Sequence, residues 1–178
     1  MLTEIEKRKS IRKYTAEPVT DEEIRELVYA ATLSPSGHNV QPWRFMVVRD
    51  PAMKEEIVKI DNNQTWMLAA PVFLVCVGDI RGRLPEGEFD FDETSDTWEL
   101  KQTIRDTAIA ISYLMLEAQH MGLSTCWTGA YPQRPMKELL GIPSDQWIGG
   151  IVTIGHAAHD PRPRPRFTVD EVLKFEKW

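Results

Sequence analysis

The sequence predicts an α+β domain in which helices surround one sheet. Three observations support this fold class: amphipathic helix patterns recur along the chain, short apolar runs separate them, and the two element types do not alternate strictly. The length of 178 residues corresponds to a single domain over residues 1–178. The chain contains no internal repeat and no low-complexity linker that would divide it.

Capping residues mark the helix starts in the first half of the chain. Thr3 with Glu6, and Thr20 with Glu23, have the spacing of capping boxes, and Pro51 suits the first turn of a helix because its missing N–H needs no partner there. We predict helices over residues 3–9, from Thr20 to the loop at residue 35, from Pro51, and over 63–70. Two apolar runs, 45–48 and 72–77, are predicted strands, and the continuous run in the second indicates a central position.

The second half of the chain contains the longest helix pattern, from Trp98 to Met121. It is apolar nearly all round between Ala108 and Leu116, which is typical of a helix in the core or in a subunit interface. A loop rich in Gly, Asp and Glu precedes it, over residues 79–96. The later predicted elements are strands at 123–128 and 148–157, a helix at 135–140, and a short helix capped by Thr168 and Glu171.

Composition excludes several classes of function. The formal net charge of −6 argues against a nucleic-acid or anionic-membrane partner. No apolar run approaches the roughly 20 residues of a membrane span, and the first residues lack the apolar region of a signal peptide. Cys76 and Cys126 lie in apolar contexts, which indicates buried free thiols in a reducing compartment. We therefore expect a cytoplasmic protein.

Common catalytic and metal motifs are absent from the sequence. There is no phosphate-binding G-x-x-x-x-G-K-[ST] loop, no G-x-G-x-x-G after a strand, and no G-x-S-x-G elbow. His156 and His159 precede Asp160, but histidines three apart on a strand point to opposite faces. We therefore predict no metal site.

Two basic clusters stand out in this acidic chain. The first comprises Lys7, Arg8, Lys9, Arg12 and Lys13, and the second, in which arginines alternate with prolines, comprises Arg162, Arg164 and Arg166. The prolines keep the second cluster extended, so its guanidinium groups are pre-organised donors. Because chain termini often lie close together, both clusters and the hydroxyl of Ser10 could converge on a small dianion such as a phosphate monoester. The alternative is two sets of solvated surface charges.

Five motifs, in order along nearly the whole chain, carry a resemblance to a known family. They are RKSIRKY, SPSGHNVQPW, Asn63 ahead of LVCVG, GLSTCWTG and IGHAAHDPRPRPR. Together they resemble the motifs of the nitroreductase family of flavin enzymes. The resemblance implies a nitroreductase-like α+β fold with a central, mostly antiparallel sheet flanked by helices. It also implies a homodimer with one FMN in each of two sites at the dimer interface.

The resemblance also implies the activity of an oxidoreductase. Electrons would pass from NADH or NADPH through FMN to a nitroaromatic, quinone or similar small-molecule acceptor by a ping-pong route. No side chain is then needed as a catalytic acid or base. Two alternatives stay open: another reductive role in the family, such as dehalogenation or flavin degradation, and a flavin carrier or regulatory protein with little turnover.

Cofactor-binding roles carry over residue by residue from these motifs. The residues expected to hold the FMN phosphate and ribityl chain are Arg8, Lys9, Ser10 and Arg12, completed by Arg164 and Arg166. Those expected to line the flavin from the other subunit are Pro35, Ser36, Gly37 and Asn39. Asn63 would bind the pyrimidine edge of the ring, which Arg12 also reaches. Thr128 and Gly129 would lie beside N5, with a backbone N–H as donor.

Some positions depart from the family pattern or carry competing interpretations. Trp66 stands where some relatives have a basic residue three positions after the asparagine. In the acidic loop, Phe89 and Phe91 could stack on a flat acceptor, or the loop could be exposed and mobile. Trp127 and Tyr131 are further candidates for contact with the acceptor.

Overall fold

The sheet of this protein has four strands. The structure is a computed structural model that describes all residues, Met1–Trp178. The strands are β1 (Trp43–Val48), β2 (Val72–Asp79), β3 (Ser124–Thr128) and β4 (Gln146–Gly155). Their order is β1-β2-β4-β3, and every neighbouring pair is antiparallel. The α+β class and the predicted antiparallel sheet are therefore confirmed.

Six helices surround this sheet. They are α1 (Thr3–Lys7), α2 (Asp21–Thr32), α3 (Pro51–Ile60), α4 (Trp98–His120), α5 (Gln133–Leu140) and α6 (Val169–Val172). Single 3₁₀ turns occur at Gly37–Asn39, Thr65–Ala69 and Ile80–Gly82. None of the helices combines the length and the apolar character that a membrane crossing requires.

The alternation of side chains along β2 creates two hydrophobic layers. Val72, Leu74 and Cys76 belong to a layer that includes residues of α2 and α4, whereas Phe73 and Val75 belong to one that includes residues of α3 and α5. Successive residues of a strand point to opposite faces of its sheet, so each layer takes every second residue. The whole of β2 up to residue 78 is buried, which confirms its predicted central position.

Helix starts follow the predicted capping residues with one exception. In α2 the hydroxyl of Thr20 accepts from the backbone N–H of Glu23 at 3.1 Å, and the Glu23 carboxylate accepts from the N–H of Thr20 at 2.7 Å. The box of Thr168 and its glutamate is also present at α6. The expected box at Thr3 is wrong, because α1 begins at Thr3 itself and Leu2 occupies the cap position without a side-chain bond.

The chain after α1 is extended rather than helical. Ser10 pairs with Thr125 in a parallel bridge, and the N–H of Ile11 donates to the Thr125 carbonyl at 3.0 Å. This pairing ends the helix at Lys7, two residues before the predicted end. It also places the first basic cluster along β3.

Candidate functional site

A cavity opens where the first basic cluster meets β3 and α4. It has a volume of about 420 Å³, within the range of roughly 300–1,000 Å³ that is usual for ligand sites. Arg8, Ser10 and Trp127 line it together with residues of α1 and α4, namely Ile5, Ser112, Met115 and Leu116. The guanidinium and hydroxyl donors of Arg8 and Ser10 thus border an open, partly apolar space.

The two chain termini run side by side as far as residue 160. The N–H of Ala158 donates to the Lys13 carbonyl at 3.0 Å, and Lys9 Nζ lies 2.6 Å from Asp160 Oδ1. The segment that leads into the second cluster therefore lies beside the first cluster, and the convergence of the two clusters stays a prediction. Arg164 and Arg166 lie further along, in an exposed segment without helix or strand. Within one chain the structure does not pair them with Arg8 or Ser10.

A tight turn after α3 brings three of the predicted site residues together. Asn62 and Asn63 both have left-handed backbone conformations, with φ of 52° and 54°. The side-chain amide of Asn62 donates to the Ala130 carbonyl at 2.7 Å, which fixes the turn against the residues that follow β3. Asn63 is therefore held beside Thr128 and Gly129, with its own side chain exposed.

Asp61, at the start of this turn, is a candidate site residue that the sequence analysis did not name. Its side chain is completely buried, and its carboxylate accepts hydrogen bonds from the Thr128 hydroxyl and from Gln64 Nε2, the latter at 2.9 Å. The available signal was an acidic residue between an apolar helix end and two asparagines. Because the Thr128 hydroxyl is used internally, the donors left at this point are backbone N–H groups, including that of the exposed Gly129.

Trp66, which stands where some relatives have a basic residue, contacts the cation of Arg12. The guanidinium carbon of Arg12 lies 5.4 Å from the centroid of the Trp66 ring, within the distance of a cation–π interaction. The indole N–H of Trp66 donates to Gln64 Oε1 at 3.1 Å, which fixes the ring. The aromatic residue at this position thus holds Arg12 next to the turn that carries Asn63.

The Pro35–Asn39 loop is held by contacts of its own. The hydroxyl of Ser36 accepts from the N–H of Gln41 at 3.0 Å, and the N–H of Gly37 donates to Asp106 Oδ2 at 3.2 Å. Three residues here, His38, Asn39 and Gln41, have positive φ. No hydrogen bond or ion pair links this loop to residues 8–12 of the same chain.

A buried ion pair lies beneath this loop. Arg83 pairs with Asp106 of α4, and their side chains are only 10% and 8% exposed. A Cβ on Gly37 would lie 3.2 Å from Nη2 of Arg83, so the loop passes close over the guanidinium. The sequence analysis missed both residues. The signal was a carboxylate on the buried face of α4, on the same side as Thr103 and Ala110.

The acidic loop is folded against α5 and β4. The rings of Phe89 and Phe91 stack on each other with centroids 5.5 Å apart, and Lys137 Nζ donates to the carbonyls of Phe91 and Ser144, each at 2.6 Å. Burial lowers the pKa of Lys137. Phe91 is 3% exposed, so the expectation that it stacks on an acceptor is wrong.

Three further residues from the sequence analysis, Tyr131, Cys76 and Cys126, are also core residues. Tyr131 is 4% exposed and packs in the hydrophobic layer with α3 and α5, and burial raises its pKa well above the usual value. This position removes it as an acceptor contact. Cys76 and Cys126 are buried free thiols, as predicted, and burial raises the pKa of Cys126. Trp127 remains accessible at the cavity beside Arg8.

Comparison with known proteins identifies similar chains that this chain matches over most of their length. The nitroreductase family model matches residues 5–65 and 55–156. The chain is 31% identical to the NADH dehydrogenase of Thermus thermophilus, over 94% of this chain and 91% of that one. It is 30% identical to the FMN reductase (NAD(P)H) of Bacillus subtilis, over 96% and 71%. The solved structure of the NADPH:FMN oxidoreductase from Vibrio harveyi complexed with NAD⁺ superimposes with a TM-score of 0.87 at 26% identity, over 98% and 76%.

Proposed function

The chain belongs to the nitroreductase family, and we propose that it is an FMN-dependent oxidoreductase that passes electrons from NAD(P)H to nitroaromatic, quinone or similar acceptors. One observation carries this proposal. Residues from distant motifs meet along β3: Ser10 pairs with Thr125 near the start of the strand, and the side chain of Asn62 binds Ala130 just after its end. Arg12 lies on the ring of Trp66, next to the same turn. The names of similar proteins, an FMN reductase and an NADPH:FMN oxidoreductase, agree with this chemistry.

The residues present fit FMN. Arg8 and Ser10 border a cavity of about 420 Å³ and offer donors suited to a phosphate dianion. The exposed side chain of Asn63 and the exposed backbone at Gly129 offer amide groups for the polar edge of a ring. The turn that presents Asn63 has a left-handed backbone, which is a conformation found preferentially at binding sites. Bound FMN would supply hydride and electron transfer.

Each group of side chains then has a distinct task. Arg8, Lys9 and Ser10, joined by Arg164 and Arg166 of the exposed tail, would bind the phosphate and neutralise its charge. Arg12 and Asn63 would bind the pyrimidine edge, where a fixed cation would stabilise developing negative charge. Trp66 holds the Arg12 guanidinium in place. These side chains would bind and orient FMN and tune its reduction potential, and none would act as a catalytic acid or base.

We also propose that the active form is a homodimer with two shared sites. The Pro35–Asn39 loop is held on Asp106 and has no bond to residues 8–12 of its own chain, so it would line the partner's cofactor. A face of α4 and its surroundings is exposed and apolar, including Tyr113 at 43% and Leu33 at 61% exposure. Exposed apolar patches of this kind mark protein interfaces.

The proposed reaction is ping-pong because both substrates would use one open site in turn. Phe91 and Tyr131 are core residues, so they do not narrow that site. Trp127 lines the cavity that Arg8 and Ser10 border, which we assign to the FMN phosphate, so we propose no aromatic side chain of this chain as the acceptor contact.

The test is a visible absorption spectrum of the purified protein, followed by anaerobic addition of NADPH and then NADH. We expect an oxidised-flavin spectrum that bleaches and returns when a nitroaromatic or quinone is added. A flavin spectrum that neither donor bleaches would support a carrier instead. A colourless protein that also fails to bind added FMN would contradict the proposed function.

A further inference from the structure

A fully buried carboxylate lies at the proposed flavin site without a cation partner. Asp61 has no exposed surface, and the two groups that donate to it, the Thr128 hydroxyl and the Gln64 amide, are both uncharged. No ion pair involves it, unlike the buried Asp106, which pairs with Arg83. Burying a carboxylate without a cation is unfavourable, so its retention calls for a role beyond stability.

The position of Asp61 links it to three segments expected to border the ring: the Asn62–Asn63 turn, the end of β3 and Arg12. It precedes the Asn62–Asn63 turn and binds Thr128 at the end of β3. Its other donor, Gln64, accepts in turn from the indole N–H of Trp66. Trp66 carries Arg12 on its face. A chain of hydrogen bonds therefore runs from the anion to the ring that holds the cation.

A buried charge acts strongly on its neighbourhood. In a low dielectric, the interaction between charges a few ångströms apart is many times larger than in water. A fixed negative charge opposes the addition of electrons nearby, whereas the Arg12 cation favours it. Asp61 and Arg12 thus act in opposite directions at the same site.

We propose that Asp61 sets the reduction potential of FMN in this protein by holding a buried negative charge behind Thr128. This inference rests on the proposed function and concerns how readily the bound cofactor is reduced. The lower potential would make the reduced enzyme a stronger donor to its acceptor. The hydrogen bonds from Thr128 and Gln64 keep the charge in a fixed position, so Asp61 is a positioning residue with an electrostatic effect.

The test compares the midpoint potential of bound FMN in the wild-type holoprotein and in Asp61→Asn, measured by equilibration with a reference dye. Asparagine keeps the size of the side chain and an oxygen acceptor for Thr128 but removes the charge. We expect the ratio of affinities for reduced and oxidised FMN to rise about tenfold, which is a shift of roughly 30 mV for a two-electron couple. Affinity for oxidised FMN, measured by fluorescence titration, should change much less.

Two further variants separate charge from geometry. Asp61→Ser also removes the charge but has a smaller side chain, and it should raise the midpoint potential as Asp61→Asn does. Asp79→Asn neutralises a carboxylate at the end of β2, where it pairs with Arg44, and should leave the potential unchanged. An equal rise in Asp79→Asn, or no rise in either Asp61 variant, would overturn the inference. A wild-type chain that binds no FMN would overturn the proposed function as well.

Discussion

At the scale of single residues, the candidate site is built on backbone conformations that few side chains tolerate. Of the six non-glycine residues with positive φ, five lie in the two turns assigned to the flavin: His38, Asn39, Gln41, Asn62 and Asn63. An L-residue in this conformation costs about 1–2 kcal/mol, less for asparagine, whose side chain can bond locally. Both turns therefore retain conformations that are unfavourable for stability alone.

Asn63 allows the structural and binding effects of one residue to be separated. Its φ is 54°, and its exposed side chain has no hydrogen-bond partner in the chain. We expect Asn63→Gly to leave the free energy of unfolding within about 1 kcal/mol of wild type, because glycine adopts this conformation readily. The same variant should bind FMN at least tenfold more weakly in a fluorescence titration. Unchanged FMN affinity would remove Asn63 from the site.

At the scale of elements, local signals predicted the helices better than their exact ends. Thr20 and Glu23 were identifiable because a capping box is local in sequence, and the structure contains it. The end of α1 was not predictable in this way, because Ser10 is drawn into an extended bridge by Thr125, which is distant in sequence. The long-range Arg83–Asp106 pair was missed for the same reason.

The Arg83–Asp106 pair is expected to stabilise the link between α4 and the Pro35–Asn39 loop. Arg83→Met would leave a buried carboxylate without its cation, and such losses cost about 3–5 kcal/mol. The matched control is Arg81→Met, which breaks a pair with Asp145 whose arginine side chain is 36% exposed and should cost about 1 kcal/mol or less. Urea denaturation measures both. Equal losses of unfolding free energy in the two variants would show that the buried pair stabilises the protein no more than the exposed pair does.

Lys137 is expected to hold the acidic loop against α5. Its ammonium donates to the carbonyls of Phe91, Ser144 and Gln146. Lys137→Met would orphan these acceptors and lower the free energy of unfolding by about 1–3 kcal/mol. Lys59→Met, at an exposed lysine of α3, serves as the control. Hydrogen exchange over residues 89–92 should increase in Lys137→Met but not in Lys59→Met. Wild-type protection of these residues in Lys137→Met would contradict this role.

At the scale of the whole molecule, the sequence motifs name candidate site residues, whereas the fold shows how their segments meet. The motifs name Ser10, Asn63 and Gly129 separately, and the fold brings their segments together along β3. Asp61 escaped notice because its importance depends on complete burial and on a bond to Thr128, neither of which is visible in a linear pattern. The Pro35–Asn39 loop has no hydrogen bond or ion pair with residues 8–12 of its own chain, which is the basis of the shared-site proposal.

The central claim, a cofactor site completed by two chains, is tested most directly by FMN stoichiometry in a mixed dimer. One chain carries Arg8→Ala and Ser10→Ala, the other carries Ser36→Ala and Asn39→Ala, and two different affinity tags select the heterodimer. One of its sites would contain both lesions and the other none. We predict that each variant homodimer loses FMN, while the mixed dimer binds one FMN for every two chains with wild-type affinity. A mixed dimer as empty as the homodimers would contradict the claim.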